Sequence, residues 1–235
     1  MKIIKETSFI LKSFGWFLLH PNDRKEEKKS VFGYVIAFII VTICGYIVQF
    51  GLLFLLTQFG LQPMSRTAPP IDIAPWKMIL IGMLLAPVME EFIFRYPLKY
   101  SRNGLFIGVL LLTVMGLFLS RTAVSEGAVS ATKLMIWLPV TAAVFLLTRS
   151  GKINSFLKLF WNKYLAVIVY VMAAWFAIVH FTLPWEGINF LYLPVVVFSQ
   201  LVFALYLSFL RLKVSFVYCI LLHTAFNLLG IFGYL

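Results

Sequence analysis

The sequence is poor in charged residues, which fill only 12% of its 235 positions, whereas 62% of the positions are hydrophobic. A soluble domain usually carries charge on roughly 25% of its residues, so this balance excludes an ordinary soluble fold. Acidic residues are the scarcest, with nine against twenty lysines and arginines. The resulting net charge of +11 could indicate nucleic-acid binding. That function needs basic residues gathered on one soluble face, so we predict a membrane protein that binds no nucleic acid.

Cysteines and zinc motifs are also missing. The chain has two cysteines, Cys44 and Cys219, and both lie in apolar segments. This arrangement excludes a disulfide framework and a CxxC site. The sequence contains no HExxH motif, in which one helix supplies two zinc ligands and a base, and no internal repeat.

Long apolar segments dominate what is present. From Val31 onwards they recur at lengths near the roughly 20 residues that cross a bilayer as a helix. We therefore predict an all-α, polytopic transmembrane helix bundle of about seven spans, with eight as the alternative, in one domain over 31–235. The predicted spans are 31–58, 76–98, 104–120, 133–148, 163–183, 189–210 and 214–234.

The distribution of basic residues predicts the orientation. The N-terminal segment 1–30 would be cytosolic, with an interfacial helix from Thr7 to His20. With this end inside, fifteen of the twenty lysines and arginines fall on the inner side and one, Arg95, within a span. The outer side holds the remaining four, which are Arg66, Lys77, Arg121 and Lys133. We predict a multi-pass protein of the plasma membrane with a cytosolic N-terminus.

A few polar residues lie inside the predicted spans. Charged groups are costly in hydrocarbon, so each of them is a candidate for function. The candidates are Glu90, Glu91, Arg95, His180, His223 and Asn227.

Helical spacing gives the two carboxylates different roles. Glu91 and Arg95 are four residues apart on one face, with the acid first, as such pairs prefer. Glu90 lies about 100° around the helix from Glu91 and about 140° from Arg95. We therefore expect Glu91 to pair with Arg95, and Glu90 to be unpaired and to act as a base on water.

The remaining polar residues suggest a site for an oxyanion. His223 and Asn227 are four apart, so both side chains can donate to one point. His180 follows Phe176 by one turn, and we expect that ring to support the imidazole. Taken alone, each histidine could equally be a structural hydrogen-bonding partner. Counted along a straight helix, His180 lies roughly 25 Å from the inner end of its span, whereas Glu90, His223 and Asn227 lie roughly 12 to 20 Å from the inner ends of theirs. The depths agree if the helix of His180 tilts or projects inward.

Three short motifs carry a family resemblance. Residues 90–95 fit EExxxR, 176–180 fit FxxxH, and 223–227 fit HxxxN. In this order, each on a predicted span, they resemble the CPBP (Abi, CAAX protease and bacteriocin-processing) family, which includes the Ras-converting CAAX endopeptidase. The resemblance covers about 87–229. The chain departs from the family pattern in lacking a glycine after Arg95 and glycines in 200–215.

The resemblance implies an intramembrane endopeptidase. In that reading Glu90, helped by His180, activates water, while His223 and Asn227 stabilise the tetrahedral oxyanion. Glu91, Arg95 and Phe176 would maintain the geometry of the site. The substrate would be a membrane-associated or lipid-modified protein or peptide, with membrane lipid as the other partner.

Alternatives remain at this point. We favour a site without a metal or other cofactor; if zinc is bound, Glu90, His180 and His223 would be its ligands. Intramembrane Glu and His residues also occur in proton-coupled transporters, although inverted repeats are not apparent here. A non-catalytic scaffold or immunity protein of the same family is the third reading.

Overall fold

The computed structural model describes residues 2–25, 29–60, 76, 78–119, 131–180 and 192–232. Within these ranges the regular structure is entirely helical, which confirms the predicted all-α class. The α-helices are α1 (Lys2–Leu19), α2 (Val31–Gln58), α3 (Ala86–Phe94), α4 (Arg102–Leu119), α5 (Ala131–Arg149), α6 (Gly151–Lys163), α7 (Leu165–Val179), α8 (Leu193–Val196), α9 (Phe198–Phe209) and α10 (Phe216–Phe232). The other helical elements are two π-helices, Met78–Leu85 and Leu210–Val214, and a 3₁₀-helix, Tyr96–Leu98.

Among the described residues, one helix is long and apolar enough to cross a membrane by itself. This helix is α2, whose bounds equal those of the first predicted span. A second candidate exists only if α6 and α7 are counted as one broken span, because they meet at 81°. Shorter apolar helical segments lie in α4, α5 and α10. These findings are compatible with a membrane protein.

The predicted span 163–183 begins two residues before α7, and a bend that was not predicted lies at this boundary. The chain forms a separate helix, α6, before Tyr164, and the helical axis then turns by 81° into α7. Tyr164 leaves helical geometry at φ −108° and ψ 20° and caps α6 by donating its N–H to the carbonyl of Phe160. The hydrophobic pattern did not reveal this helix because α6 carries lysines among its apolar residues.

Two further predicted spans are interrupted. The 76–98 segment is a π-helix, then α3, then a 3₁₀-turn. The described part of 189–210 breaks at Val197, between α8 and α9. Gln49 of α2 bridges that break, since its amide donates to the carbonyl of Val196 at 2.8 Å and accepts from the N–H of Ser199 at 3.1 Å.

The N-terminal helix begins earlier than predicted, at Lys2 rather than Thr7. It buries a stripe of four residues, which are Thr7, Ile10, Phe14 and Phe17. Phe14 packs edge-on against Tyr206 at 5.2 Å, and Phe17 against Phe209 at 5.6 Å between ring centroids. This stripe attaches α1 to the central helix α9.

Helix α9 forms the centre of the bundle. Its residues Phe203, Ala204, Tyr206, Leu207 and Phe209 are buried, and they pack against α2 and α7. α9 thereby fixes the position of α7, which carries one of the candidate histidines.

Candidate active site

Helix α3 carries Glu90 and Glu91, and Arg95 is the residue that caps its C-terminal end. Arg95 Nη1 lies 3.3 Å from Glu91 Oε1, so the structure contains the contact that the i,i+4 spacing predicted. Both side chains are buried, with exposures of 1% and 0%. The guanidinium also lies over the ring of Phe176, with 3.9 Å between Cζ and the ring centroid, a favourable position for a cation on an aromatic face.

Glu90 faces two histidines from two other helices. Its Oε2 lies 3.4 Å from His180 Nε2 at the end of α7 and 3.5 Å from His223 Nε2 in α10. The expectation of an unpaired Glu90 therefore needs correction, because the carboxylate is at ion-pair distance from both imidazoles. Its Oε2 nevertheless makes no hydrogen bond to the described part of the chain.

Exposure differs across this group. The side chains of His180 and Glu90 are 28% and 13% exposed, whereas that of His223 is 2% exposed. The cluster therefore reaches the surface on the side of His180 and is closed on the side of His223. A small polar molecule could approach the Glu90 carboxylate from the open side.

A contact between His223 and Glu91 was not predicted. His223 Nδ1 lies 2.8 Å from Glu91 Oε1, and both side chains are buried. Glu91 Oε1 thus contacts both Arg95 and His223, and the imidazole bridges the two adjacent carboxylates. A helix repeat relates only residues on one helix, so no sequence spacing could have indicated this contact.

His180 is oriented by its own helix. Its Nδ1 lies 2.7 Å from the carbonyl oxygen of Phe176, and the two rings are 4.1 Å apart. If Nδ1 carries the proton donated to that carbonyl, Nε2 is left to face Glu90. The structure therefore places Phe176 as the expected support for His180.

Phe203 is a second aromatic support, and sequence reasoning missed it. Its ring lies 5.1 Å from that of His223 and 6.0 Å from that of Phe176. Phe203 lies within an apolar segment like any other core residue. Its residue type and spacing therefore did not indicate that it would contact a histidine of the site.

Asn227 contacts a different element from the one that His223 contacts. Its amide Nδ2 donates to the carbonyl of Gly82, in the first π-helix, at 3.1 Å. Both ring nitrogens of His223 face carboxylates, so the described contacts do not aim His223 and Asn227 at one point. An amide nitrogen carries two hydrogens, and the bond to Gly82 uses one of them.

The start of α7 lies beside the N-terminal helix, because the Tyr170 hydroxyl donates to the carbonyl of Leu18 in α1. From there α7 brings His180 to Glu90 at its other end. The depth of His180 in a membrane, and the tilt or inward projection expected for its helix, stay predictions.

The described residues include no group of three or more His, Cys, Asp or Glu side chains arranged to hold a metal ion. The zinc alternative, with Glu90, His180 and His223 as ligands, gains no support from this arrangement and stays open. No protein-family model, curated protein or solved structure matches this chain. Membership of the CPBP family therefore stays a prediction from the three motifs.

Proposed function

We propose that this chain is a glutamate-dependent intramembrane endopeptidase of the CPBP type. It would cleave a membrane-associated or lipid-modified protein or peptide. The observation that carries the proposal is the convergence of the Glu90 carboxylate with the imidazoles of His180 and His223, from three helices, within 3.5 Å. The three motifs in their family order add support.

The proposal includes seven membrane spans with the N-terminus in the cytosol. Polar contacts gathered at one end of the helices support this orientation. There, Arg211 donates to the carbonyls of Arg95 and Tyr96 at 3.1 and 3.0 Å, and Lys213 to Asn22 at 2.6 Å. That end would face the cytosol. The spans would be α2, the first π-helix with α3, α4, α5, α7, α8 with α9, and α10.

Glu90 is the base of the proposed reaction. Its side chain is 13% exposed and adjoins the more exposed His180, so the carboxylate would accept a hydrogen bond from a water molecule that His180 also contacts. The carboxylate takes one proton from this water, and the oxygen attacks the scissile carbonyl carbon. The proton then passes to the leaving amine as the peptide bond breaks, which restores the Glu90 carboxylate.

His223 and Asn227 would stabilise the tetrahedral intermediate, and Glu91 with Arg95 would hold His223 in place, since His223 Nδ1 lies 2.8 Å from Glu91 Oε1. His223 Nε2 lies 3.5 Å from Glu90 Oε2, so a carbonyl bound next to Glu90 would also lie beside this nitrogen. The second amide hydrogen of Asn227 would add a further bond to the oxyanion.

Substitution of Glu90 by glutamine tests the proposal. Glu90→Gln preserves shape but removes the base, so we expect no cleavage. The measurement is a comparison of new peptide termini in membrane proteomes from cells carrying the wild-type or the variant chain. Asp23→Asn is the matched control, because it also converts a carboxylate to an amide, at an exposed position, and should leave cleavage intact.

Two outcomes would replace the proposal by another function. Equal sets of termini with Glu90→Gln, together with proton-dependent solute uptake into liposomes, would favour a transporter. Equal sets together with full complementation by Glu90→Gln would favour a scaffold.

Metal dependence needs a separate measurement. We expect cleavage by the purified chain to survive exhaustive treatment with a zinc-specific chelator. Loss of activity that added zinc restores would instead assign Glu90, His180 and His223 as ligands.

A further inference from the structure

Helix α6 differs from the helices around it. None of its thirteen residues is buried, and it meets α7 at 81°. If α7 crosses the membrane, α6 lies almost parallel to the membrane plane. Its position is fixed from one side, where the Tyr100 hydroxyl donates to Asn154 Oδ1 at 2.9 Å and the Tyr100 ring lies 5.7 Å from that of Trp161.

The remaining surface of α6 has an apolar face and a polar face. Phe156, Leu159 and Phe160 are 65%, 70% and 43% exposed, and they point away from the bundle. Ser155 and Asn162 fall on another side of the helix and are exposed. An exposed apolar face beside a polar one is typical of a helix lying in the interface between lipid and water.

The charge of α6 is of one sign. Lys152, Lys158 and Lys163 are exposed, and the helix contains no acidic residue. Lys152 and Lys163 flank the apolar face, where long side chains can bury their stems and extend their ammonium groups to headgroups.

A pocket with the same charge adjoins the start of α6. It lies between α4 and α5 and is lined by Arg102, Asn103, Phe106, Phe145, Thr148 and Arg149. Arg149 stacks on Phe145, with 4.4 Å between Cζ and the ring centroid. Two guanidinium groups at the mouth of an interhelical pocket suit a phosphate group.

From these features we infer that α6 and the arginine pocket beside it form a binding surface for anionic phospholipids. The apolar face lies among acyl chains, and the lysines and the two arginines contact headgroup phosphates. The inference rests on the proposed membrane orientation of α7 and not on proteolysis. Because α6 leads through Tyr164 directly into α7, lipid binding there also sets the depth of α7, and hence of His180.

Lipid-selective quenching in the full chain tests the inference. A bimane label is attached to Phe160→Cys in a Cys44→Ala background. Its fluorescence is measured in vesicles of phosphatidylcholine that contain either brominated phosphatidylglycerol or brominated phosphatidylcholine. We expect the brominated phosphatidylglycerol to quench about threefold more effectively. The control label, Phe54→Cys, lies on the exposed surface of α2, where its parent side chain is 64% exposed, and should not discriminate.

Variants that neutralise the basic residues show which of them cause the preference for anionic lipid. The combination Lys152→Gln, Lys158→Gln and Lys163→Gln should remove most of the difference between the two lipids at Phe160→Cys, and Arg102→Gln with Arg149→Gln should reduce it further. Unchanged elution on size exclusion identifies variants that remain folded.

Three results would overturn the inference. Quenching by aqueous iodide but not by lipid would place the apolar face in water. Equal quenching by both lipids would remove the preference for anionic headgroups. Protection from iodide and from both lipids would indicate a second copy of the chain or another protein on this face.

Discussion

Arg95 is 1% exposed and holds its guanidinium between the Glu91 carboxylate and the ring of Phe176. Removing one partner of a buried ion pair leaves the other charge uncompensated. We expect Arg95→Met to lower the free energy of unfolding by about 3 to 5 kcal/mol. Thermal unfolding of the purified chain in detergent measures the change.

A double variant separates charge from packing. In Glu91→Gln with Arg95→Met neither buried charge remains, so we expect it to be more stable than Arg95→Met alone. A double variant as unstable as the single one would mean that Arg95 acts through its contact with Phe176.

At the scale of residues, sequence spacing predicted contacts within one helix. It paired Glu91 with Arg95 and placed Phe176 beside His180 because residues four apart share a helix face. It did not predict that His223 bonds Glu91, because that contact depends on how α10 packs against α3. The bond of Asn227 to Gly82 escaped prediction for the same reason.

Helix α2 carries a polar residue that braces another helix. Gln49 makes two hydrogen bonds across the break between α8 and α9. Gln49→Leu would leave a part-buried carbonyl and N–H without these bonds, and we expect it to cost about 1 kcal/mol of unfolding free energy. The neighbouring Val48→Leu, on an exposed position, should leave the melting temperature nearly unchanged.

The junction between α1 and α2 depends on Glu6. The Ser30 hydroxyl and N–H both donate to Glu6 Oε2, and this hydroxyl lowers the pKa of Glu6 below its ordinary 4.5. Ser30 Oγ in turn accepts from the N–H of Gly33 at 3.2 Å and caps α2. Protonation of Glu6 would therefore loosen the start of α2.

A lowered pKa in the folded state fixes the sign of the pH dependence. The stabilisation by Glu6 is fully present above its unfolded pKa and is lost as the pH falls through the lower folded pKa. We expect the wild-type chain to melt at a higher temperature than Glu6→Gln at neutral pH, with the difference shrinking as the pH falls below 4.5 and through the lower folded pKa. A constant difference across that range would contradict the role of Glu6.

At the scale of elements, hydrophobic pattern located the helices better than their interruptions. It gave the bounds of α2 because polar segments border that span on both sides. The bend at Tyr164 and the first π-helix were missed because both lie within or beside apolar sequence, where packing and not composition decides the backbone path.

The whole chain should alternate across the membrane. In a Cys44→Ala background, an impermeant maleimide applied to intact cells should label Phe59→Cys, beyond the outer end of α2. It should not label Asp23→Cys or Asn162→Cys until the membrane is opened. Labelling of Asn162→Cys from outside would mean an odd number of crossings between it and Asp23.

For the whole molecule, composition was enough to predict the all-α class, and the shortage of charged residues indicated a membrane protein. The number of spans is a finer prediction, since α2 is the one described helix that is long and apolar enough without joining elements. Three outer-side residues used to predict orientation, Arg66, Lys77 and Arg121, lie outside the described residues. The side chain of the fourth, Lys133, also lies outside them.

The contact between Glu91 and His223 joins residues 132 positions apart. A ribosome makes Glu91 and Arg95 long before it makes α10, so a nascent chain would hold this ion pair before His223 exists to contact it. The cluster is therefore assembled in two stages. A chain cut short before Phe216 would keep the contacts of Glu91 with Arg95 and of Glu90 with His180 but would lack the imidazole that bridges the two carboxylates.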